Sequence, residues 1–203
     1  MERFLTLLAR AREEEEELTG LRLTDLTLEG GDLSSVGFRS VVFDHCRLLG
    51  CDGTRASFTD VTFQDCDLSN SQFPDGYWQR CRFTGCKALG AGLYGGLFQQ
   101  VSFQGCQLGY ANFDKSRLRH VTFTETDLKS GSLSNCTLKY TEFRDCALTQ
   151  VSFVHTLLKG LDLTTCRIGG LTLSADHHEL QGVVVDTFQA ADLARRLGVV
   201  VKE

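Results

Sequence analysis

A five-residue period runs through most of this 203-residue chain and limits what it can fold into. The stretch VTFQDCDLSNSQF shows the pattern, with three large apolar residues standing five apart and polar residues between them. Every fifth position from Leu23 to Leu173 gives 31 positions, of which 29 are Leu, Phe, Ile or Trp, the exceptions being Gly53 and Ala88. A helix repeats about every 3.6 residues and a strand every two, so neither element alone explains this interval.

The positions two residues before these apolar ones form a second register, made of small side chains. From Leu21 to Leu171, 27 of the 31 are Gly, Ala, Ser, Cys, Thr or Val. This register contains all nine cysteines of the chain: Cys46, Cys51, Cys66, Cys81, Cys86, Cys106, Cys136, Cys146 and Cys166. Chance would place all nine in one register of five roughly once in 400,000 trials, so the period belongs to the architecture of a repeat protein.

These two registers resemble the pentapeptide-repeat family, whose consensus A(D/N)LXX has Leu or Phe at its centre. The resemblance implies an all-β solenoid, a right-handed quadrilateral β-helix in which each pentapeptide forms one side and twenty residues form one coil. Residues 21–175 then make about eight coils. Backbone hydrogen bonds run between coils, so both ends of the stack expose unpaired groups and need caps.

Sorting the central residues by twenty tests that coil length within the sequence itself. One column is aromatic: Leu23, Phe43, Phe63, Phe83, Phe103, Phe123, Phe143 and Leu163. Its neighbour is aliphatic: Leu28, Leu48, Leu68, Ala88, Leu108, Leu128, Leu148 and Ile168. Side chains of one type, one coil apart, are expected to stack. In a third column Gly76 stands two residues before Trp78, and Gly96 precedes Phe98 in the same way. We expect both glycines to make room for the ring.

The N-terminal segment, residues 1–20, is predicted to cap one end of the solenoid. Residues 1–18 have the pattern of a helix, with an apolar stripe formed by Phe4, Leu5, Leu7, Leu8 and Ala11. Gly20 stands where a helix terminator is expected. The stretch is interrupted by arginines and followed by five glutamates, so it is not expected to be a signal peptide.

The C-terminal segment, residues 176–203, is predicted to be a second cap. Asp186 followed by Gln189 has the spacing of a capping box, and Gly198 is expected to end the helix. Val199–Val201 is predicted to be a short strand. This ending resembles that of the quinolone-resistance (Qnr-type) proteins and related mycobacterial proteins that act on DNA gyrase. There the C-terminal helix and strand form a two-fold dimer. The resemblance implies a homodimer through Phe188, Leu193, Leu197, Val199, Val200 and Val201.

Side chains that carry chemistry do not form a recognisable catalytic motif in this sequence. The P-loop, GxSxG and HExxH patterns are absent. The cysteines are never closer than five residues and point into the core, so we expect packing roles rather than a metal site. His177 and His178 are adjacent, so their side chains diverge, and no Cys or carboxylate pattern lies near them beyond Asp176 and Glu179. We therefore predict a protein that is not an enzyme and that binds no metal and no cofactor.

Charge is divided along the chain. Residues 21–75 carry nine acidic and four basic residues, whereas residues 76–175 carry six acidic and eleven basic, so the net charges are −5 and +5. The acidic candidates for a partner-binding face are Asp44, Asp52, Asp60, Asp65 and Asp67. The alternative face is a basic strip formed by Arg117, Arg119, Lys139 and Lys159, with Lys115 close by.

The resemblance and the charge division lead to two predictions of function. The first is a protein that binds a type II topoisomerase, DNA gyrase, partly as a DNA mimic, and protects it from quinolones or other gyrase poisons. The second is a rigid scaffold for an unrelated protein partner. Direct nucleic-acid binding is not predicted, because the basic strip lacks interleaved exposed aromatic residues. No segment reaches the ~18–20 apolar residues of a membrane span, and we expect a cytoplasmic protein.

Overall fold

The computed structural model describes residues 2–196 and 198–202. The described chain begins with helix α1 (Glu2–Glu13) and ends with a 3-10 turn (His178–Leu180) and helix α2 (Thr187–Arg196). Within these residues, fourteen short strands lie between the helices: β1 (Leu18–Thr19), β2 (Arg22–Thr24), β3 (Thr27–Glu29), β4 (Gly37–Arg39), β5 (Val42–Asp44), β6 (Arg47–Leu49), β7 (Ser57–Thr59), β8 (Thr62–Gln64), β9 (Tyr77–Gln79), β10 (Arg82–Thr84), β11 (Leu97–Gln104), β12 (Arg117–Thr124), β13 (Thr137–Lys139) and β14 (Glu142–Arg144). No described helix is long and apolar enough to cross a membrane.

Strand pairing confirms the twenty-residue coil. Paired residues in every ladder are parallel and twenty apart, as in Phe43 with Phe63. We number the four sides by their central columns: side 1 from Leu23 to Leu163, side 2 from Leu28 to Ile168, side 3 from Leu33 to Leu173 and side 4 from Leu18 to Leu158. On side 1 the ladder runs without a break from β2 through β5, β8, β10, β11 and β12 to β14. Isolated bridges extend the same register on side 3 as far as Thr172.

Each side ends in a residue with a left-handed backbone. Positive φ recurs at every fifth residue from Gly20 to Gly160, and most of these residues are not glycine. This conformation turns the chain through a corner and lets the corner N–H donate to the next coil, as Asp60 does to the Gln79 carbonyl at 2.9 Å. Each non-glycine corner costs on the order of 1 kcal/mol. Stacking between coils must therefore offset a repeated backbone cost.

The interior of the solenoid is a set of stacked columns. Along side 1, ring centroids of successive phenylalanines lie 4.6–4.9 Å apart from Phe43 to Phe143, with planes within 12° of parallel. On side 4, Trp78 stacks between Phe58 at 4.1 Å and Phe98 at 5.9 Å. The predicted column of aromatic rings is confirmed.

Glycine in the small register makes room for these rings, as expected. A Cβ added to Gly76 would lie 2.9 Å from Trp78 Nε1, and one added to Gly96 would lie 2.7 Å from a ring carbon of Phe98. The structure also explains Gly53, an exception in the apolar register. A Cβ there would lie 2.2 Å from the ring of Phe73, one coil away. The large ring fills the space that the glycine leaves.

The small register also supplies hydrogen bonds between coils. Cys46 Sγ donates to the Leu23 carbonyl at 3.1 Å, and Thr126 Oγ1, in the same column, donates to the Phe103 carbonyl at 3.3 Å. Ser71 makes the equivalent bond to the Leu48 carbonyl at 2.6 Å. A small side chain with one donor can therefore provide a hydrogen bond to a buried backbone carbonyl of the preceding coil. All nine cysteines are buried free thiols, which confirms that they face the core.

These thiols are expected to resist chemical labelling in the native protein. Burial raises the pKa of Cys81 and that of Cys136 to about 12. Thiol reagents attack the thiolate, and these groups are neither ionised at neutral pH nor accessible. A colorimetric thiol reagent should label few of the nine cysteines in the native state and all nine in denaturant. Rapid native labelling of most of them would contradict the inward register.

The N-terminal cap differs from the prediction in where it ends. Helix α1 stops at Glu13 instead of reaching residue 18, and Leu18–Thr19 already pairs with Phe38–Arg39 as the first strand of side 4. Leu18 lies in the five-residue apolar register and is only 8% exposed, so its burial in the stack favours a strand. Gly20 is therefore the first corner and not a helix terminator.

The packing of α1 also corrects one residue of the apolar stripe. Phe4, Leu8 and Ala11 are buried against the first coil, and Leu7 is half-buried. Leu5, which was predicted to belong to the stripe, is 44% exposed. Positions 4, 8 and 11 lie one helical turn apart on one face, and position 5 lies about 100° away from position 4.

At the other end, Glu179 caps the last coil. Its Oε1 accepts the backbone N–H of His155 at 2.8 Å and that of Ser174 at 3.1 Å. In earlier coils the corresponding corner N–H donates to a carbonyl of the following coil, as Asn135 does to the Val154 carbonyl. The Glu179 carboxylate therefore supplies the hydrogen-bond acceptor that a following coil supplies elsewhere. Burial raises the pKa of Glu179, but hydrogen bonds from Ser174 and His155 outweigh it and hold the pKa at about 2.

Helix α2 has the predicted capping box. The Asp186 N–H donates to Gln189 Oε1 at 2.9 Å, and the Gln189 N–H donates to Asp186 Oδ1 at 2.8 Å. Gln189 Nε2 also donates to the carbonyls of Leu163 and Cys166, which fixes the helix to the last coil. Gly198, with φ of 82°, follows the helix as the expected stop signal.

The residues of the predicted dimer interface lie in different environments. Leu193 is 9% exposed and packs in the hydrophobic core of its own chain. It lies one turn after Gln189, on the face of α2 that is bound to the rod. Leu197 lies outside the described residues. Val199–Val201 is not a strand in the single chain, since a strand requires a neighbouring strand to supply its backbone hydrogen bonds.

Candidate partner-binding surfaces

Four basic side chains belong to side 4 in the C-terminal half, and a fifth, Lys115, lies at the corner between sides 3 and 4. This cationic face consists of Lys115, Arg117, Arg119, Lys139 and Lys159, all exposed. Arg119 pairs directly with Lys139 across β12 and β13, so these two lie one coil, ~4.8 Å, apart. The period of twenty had placed Arg119, Lys139 and Lys159 in one column, and the structure pairs Arg119 with Lys139 as neighbours.

The cationic face is free of acidic partners among the described residues. The ion pairs of the chain use other arginines, such as Arg39, Arg80 and Arg144. A groove of about 330 Å³ runs along the face, lined by Arg117, Arg119 and Lys139 together with Thr137 and Leu118. Unpaired cations attract an anionic surface. Because the strands that carry them are already ordered, little backbone freedom is lost when such a surface binds.

Two aromatic rings border the cationic face at the corner between sides 4 and 1. His120 and Tyr140 stack with centroids 4.6 Å apart, and Tyr140 is 72% exposed. No exposed aromatic residues are predicted from the sequence to interleave with the strip, and the structure places this pair at its border. Sorting the corner positions by twenty would have found this pair, because His120 and Tyr140 occupy one corner in successive coils.

The five acidic candidates do not form one face. Asp44 belongs to side 1, Asp67 to side 2 and Asp52 to side 3, whereas Asp60 lies at the corner between sides 4 and 1 and Asp65 at the corner between sides 1 and 2. The net charge of −5 over residues 21–75 sums groups that point in four directions. A negative potential surrounds this half of the rod without a single acidic face.

Most of these carboxylates are also engaged within the chain. Asp60 receives two hydrogen bonds from Arg80 at 2.5 and 2.7 Å, and this contact lowers its pKa. Asp44 is bound by Arg22 at 2.7 Å and by His45 at 2.8 Å, and hydrogen bonds from His45 and Arg22 lower its pKa.

Asp52 and Asp67 act as local turn acceptors. Asp52 Oδ1 accepts from the N–H and hydroxyl of Thr54, and Asp67 Oδ1 accepts from the same groups of Ser69. These bonds satisfy the carboxylates inside their own pentapeptides. Asp65 is 47% exposed at its side chain and lies 3.8 Å from His45 Nε2. It is the acidic candidate with the weakest internal contact.

A third exposed surface lies at the C-terminal end of the rod. Phe188 is 87% exposed on the outer side of α2, Val200 is 84% exposed and Val199 is 52% exposed, whereas Val201 is half-buried. Val184, which pairs with Asp162 of the last coil, is 48% exposed. Exposed apolar side chains gathered at one end of a rod are typical of an interaction surface.

Comparisons with known proteins found several similar solved structures. Solved structures of QnrB1, a plasmid-mediated fluoroquinolone resistance protein, are similar to this chain. A trypsin-treated form is 22% identical, covering 91% of this chain and 99% of that one, with a TM-score of 0.41. The full-length form is 16% identical, covering 91% and 100%, with a TM-score of 0.35.

HetL, a pentapeptide repeat protein of the cyanobacterium Nostoc involved in the regulation of heterocyst differentiation, is also similar. It is 15% identical, covering 87% of this chain and 94% of that one, with a TM-score of 0.29. No protein with a curated description matches the chain. The family described as "Pentapeptide repeat region" matches residues 56–130 and 96–174, more than half of the sequence. With its five-residue register, twenty-residue coils and this match, the chain belongs to the pentapeptide-repeat family and folds as a right-handed quadrilateral β-helix.

Proposed function

We propose that this protein is a rigid, non-catalytic binding rod whose partner is a type II topoisomerase, DNA gyrase, and that binding protects the enzyme from quinolones or other poisons. The protein would act as a homodimer in the cytoplasm, where gyrase works. Solenoids of this family are typically binding scaffolds rather than enzymes.

The observation that carries the proposal is the C-terminal module. Its sequence resembles the ending of the gyrase-acting subgroup, and the capping box between Asp186 and Gln189 forms with both hydrogen bonds. The module leaves Phe188 and Val200 uncovered at the end of the rod. An uncovered apolar surface at that position is what a two-fold pairing of rods requires.

The arrangement of charge favours the cationic face as the contact. Arg119, Lys139 and Lys159 lie on one side and have no acidic partner among the described residues. The acidic candidates point to four sides, and Asp44 and Asp60 are held by arginines. A partner approaching one side of the rod meets a concentrated positive charge but only a diluted negative one. We therefore propose that the cationic face makes the main contact with gyrase. DNA mimicry by the acidic coils would contribute less to binding.

Charge reversal on purified protein tests both the partner and the face. The variant Arg119→Glu, Lys139→Glu, Lys159→Glu should lose binding to gyrase and should no longer reduce quinolone-stabilised DNA cleavage. The acidic variant Asp44→Lys, Asp60→Lys, Asp65→Lys should keep most of both activities. Wild-type binding should weaken as salt rises, because exposed charges are screened beyond ~8–10 Å at physiological ionic strength.

A matched control lies on side 2. Arg47, Lys87 and Arg167 are exposed, occupy one column of that side and carry the same charge as the tested residues. Reversing these three to glutamate changes the net charge equally but leaves side 4 intact, so gyrase binding should persist. If the side 2 variant loses binding as fully as the side 4 variant, the effect is one of net charge, and the cationic face is not the contact.

The second candidate function is a scaffold for another protein partner. The unpaired cationic face favours it independently of the C-terminal ending, because such a surface fits any acidic protein surface. Failure of wild-type protein to bind gyrase in a pull-down, with the rod folded, would replace the topoisomerase proposal with this one.

A further inference from the structure

The turn that caps the last coil contains a carboxylate oxygen without a partner. Glu179 is fully buried, and its Oε1 is used by the backbone N–H groups of His155 and Ser174. Its Oε2 has no hydrogen-bond partner among the described residues. A buried oxygen of an ionised carboxylate is costly when it is unpaired, and such groups in folded proteins usually face a cation, water or a donor.

Two further metal-ligating side chains surround this oxygen. His178 Nδ1 lies 4.0 Å from Glu179 Oε2 and 2.7 Å from Asp176 Oδ1. One ligand atom from each of the three residues lies within 4.8 Å of the others. The 3-10 turn at His178–Leu180 produces this grouping, because it folds the histidine back between the two carboxylates. No metal is predicted from the sequence, because His177 and His178 diverge and no carboxylate pattern lies near them beyond Asp176 and Glu179.

We propose that Asp176, His178 and Glu179 form a binding site for a divalent cation of the zinc type at the C-terminal cap of the β-helix. One imidazole nitrogen and two carboxylate oxygens are a donor set that suits Zn²⁺. Zn²⁺ binds these atoms at ~2.0–2.2 Å, so ligands around one ion lie roughly 3–3.6 Å apart. The present spacings of 2.7 and 4.0 Å are on either side of that range.

The site is built so that one ligand is fixed and two adjust. Glu179 is held by the last coil, whereas Asp176 has a side chain that is 73% exposed and His178 one that is 36% exposed. A small rotation of the two exposed side chains brings all three donors around one ion. Water completes the coordination, and His155, whose ring lies 6.1 Å from that of His178, is the adjacent protein side chain. Binding would tie the capping turn to the coil end and so stabilise the base of the C-terminal module.

Zinc titration of the full-length protein tests the proposal. After treatment with a chelator, wild-type protein titrated with ZnCl₂ in a calorimeter should bind one Zn²⁺ per chain, and its thermal unfolding midpoint should rise. Glu179→Gln keeps an amide oxygen for the two backbone N–H groups but removes the charged oxygen, so zinc affinity should fall at least tenfold while the fold persists. His178→Ala should have a similar effect and serves if the Glu179 variant does not fold.

His45→Ala is the matched control. His45 lies 2.8 Å from Asp44 and 3.8 Å from Asp65, which makes a histidine–carboxylate cluster without a buried, unpartnered oxygen. Its removal should leave zinc affinity unchanged. Co²⁺ used as a spectroscopic probe distinguishes the cysteines, because thiolate ligands give an intense charge-transfer band that nitrogen and oxygen ligands lack. The proposal is overturned if wild type binds no Zn²⁺, if the thiolate band appears, or if Glu179→Gln and His178→Ala both bind as tightly as wild type.

Discussion

Replacing Phe103 by alanine is expected to destabilise the rod by about 3–5 kcal/mol, since truncation of a buried phenylalanine loses its transfer free energy and leaves a cavity. Phe103 is 2% exposed, and its ring stacks on Phe83 at 4.7 Å and on Phe123 at 4.9 Å. Rings in a continuous column have rigid neighbours above and below, so the cavity has little scope to collapse. Urea unfolding followed by circular dichroism measures the loss.

The control for this experiment is Phe188→Ala. Phe188 is 87% exposed, so in the single chain its removal should change stability by no more than ~0.5 kcal/mol. The comparison is made at low protein concentration, where dimer formation does not add to stability. A loss below about 1 kcal/mol for Phe103→Ala would mean that the aromatic column is not the stabilising core of the solenoid.

The intact chain is expected to be a dimer, and Phe188→Asp is expected to make it a monomer. Burying a phenylalanine contributes about 1.5–3 kcal/mol, and a two-fold interface contains the residue twice. The substitution also forces a carboxylate into each half of the interface. The dissociation constant should therefore rise by roughly 100-fold or more. Sedimentation equilibrium or light scattering over a range of concentrations measures it.

A point variant is a cleaner test than truncation after Ala175. Truncation removes Glu179 and Gln189, which cap the last coil and fasten α2 to it, so a truncated monomer has two explanations. Tyr110→Asp is the matched control, because Tyr110 is a 68% exposed aromatic residue on the body of the rod. A wild-type chain that remains monomeric at tens of micromolar, or a Tyr110 variant that dissociates equally, would exclude the C-terminal interface.

Periodicity alone determined the interior of this protein. An inward side chain in a solenoid meets copies of itself twenty residues away, so sorting by twenty predicted the aromatic column and the glycines that make room for Trp78 and Phe98. Local rules also sufficed where contacts are local, as in the capping box of α2. The left-handed corners recur every five residues as well, but many residue types adopt them, so composition did not reveal them.

Tertiary structure decided the surface and the two ends. The surroundings of an outward side chain depend on its side of the rod and on its neighbours across a corner. A net charge summed along the chain combines groups that point in four directions. The acidic candidates were therefore dispersed, whereas the cations of side 4 were assembled beside Tyr140. At the two ends no further coil supplies hydrogen-bond and packing partners, so individual side-chain contacts determine the local structure. Burial of Leu18 shortens α1, and Glu179 replaces the missing coil, because buried backbone groups must find partners wherever the fold provides them.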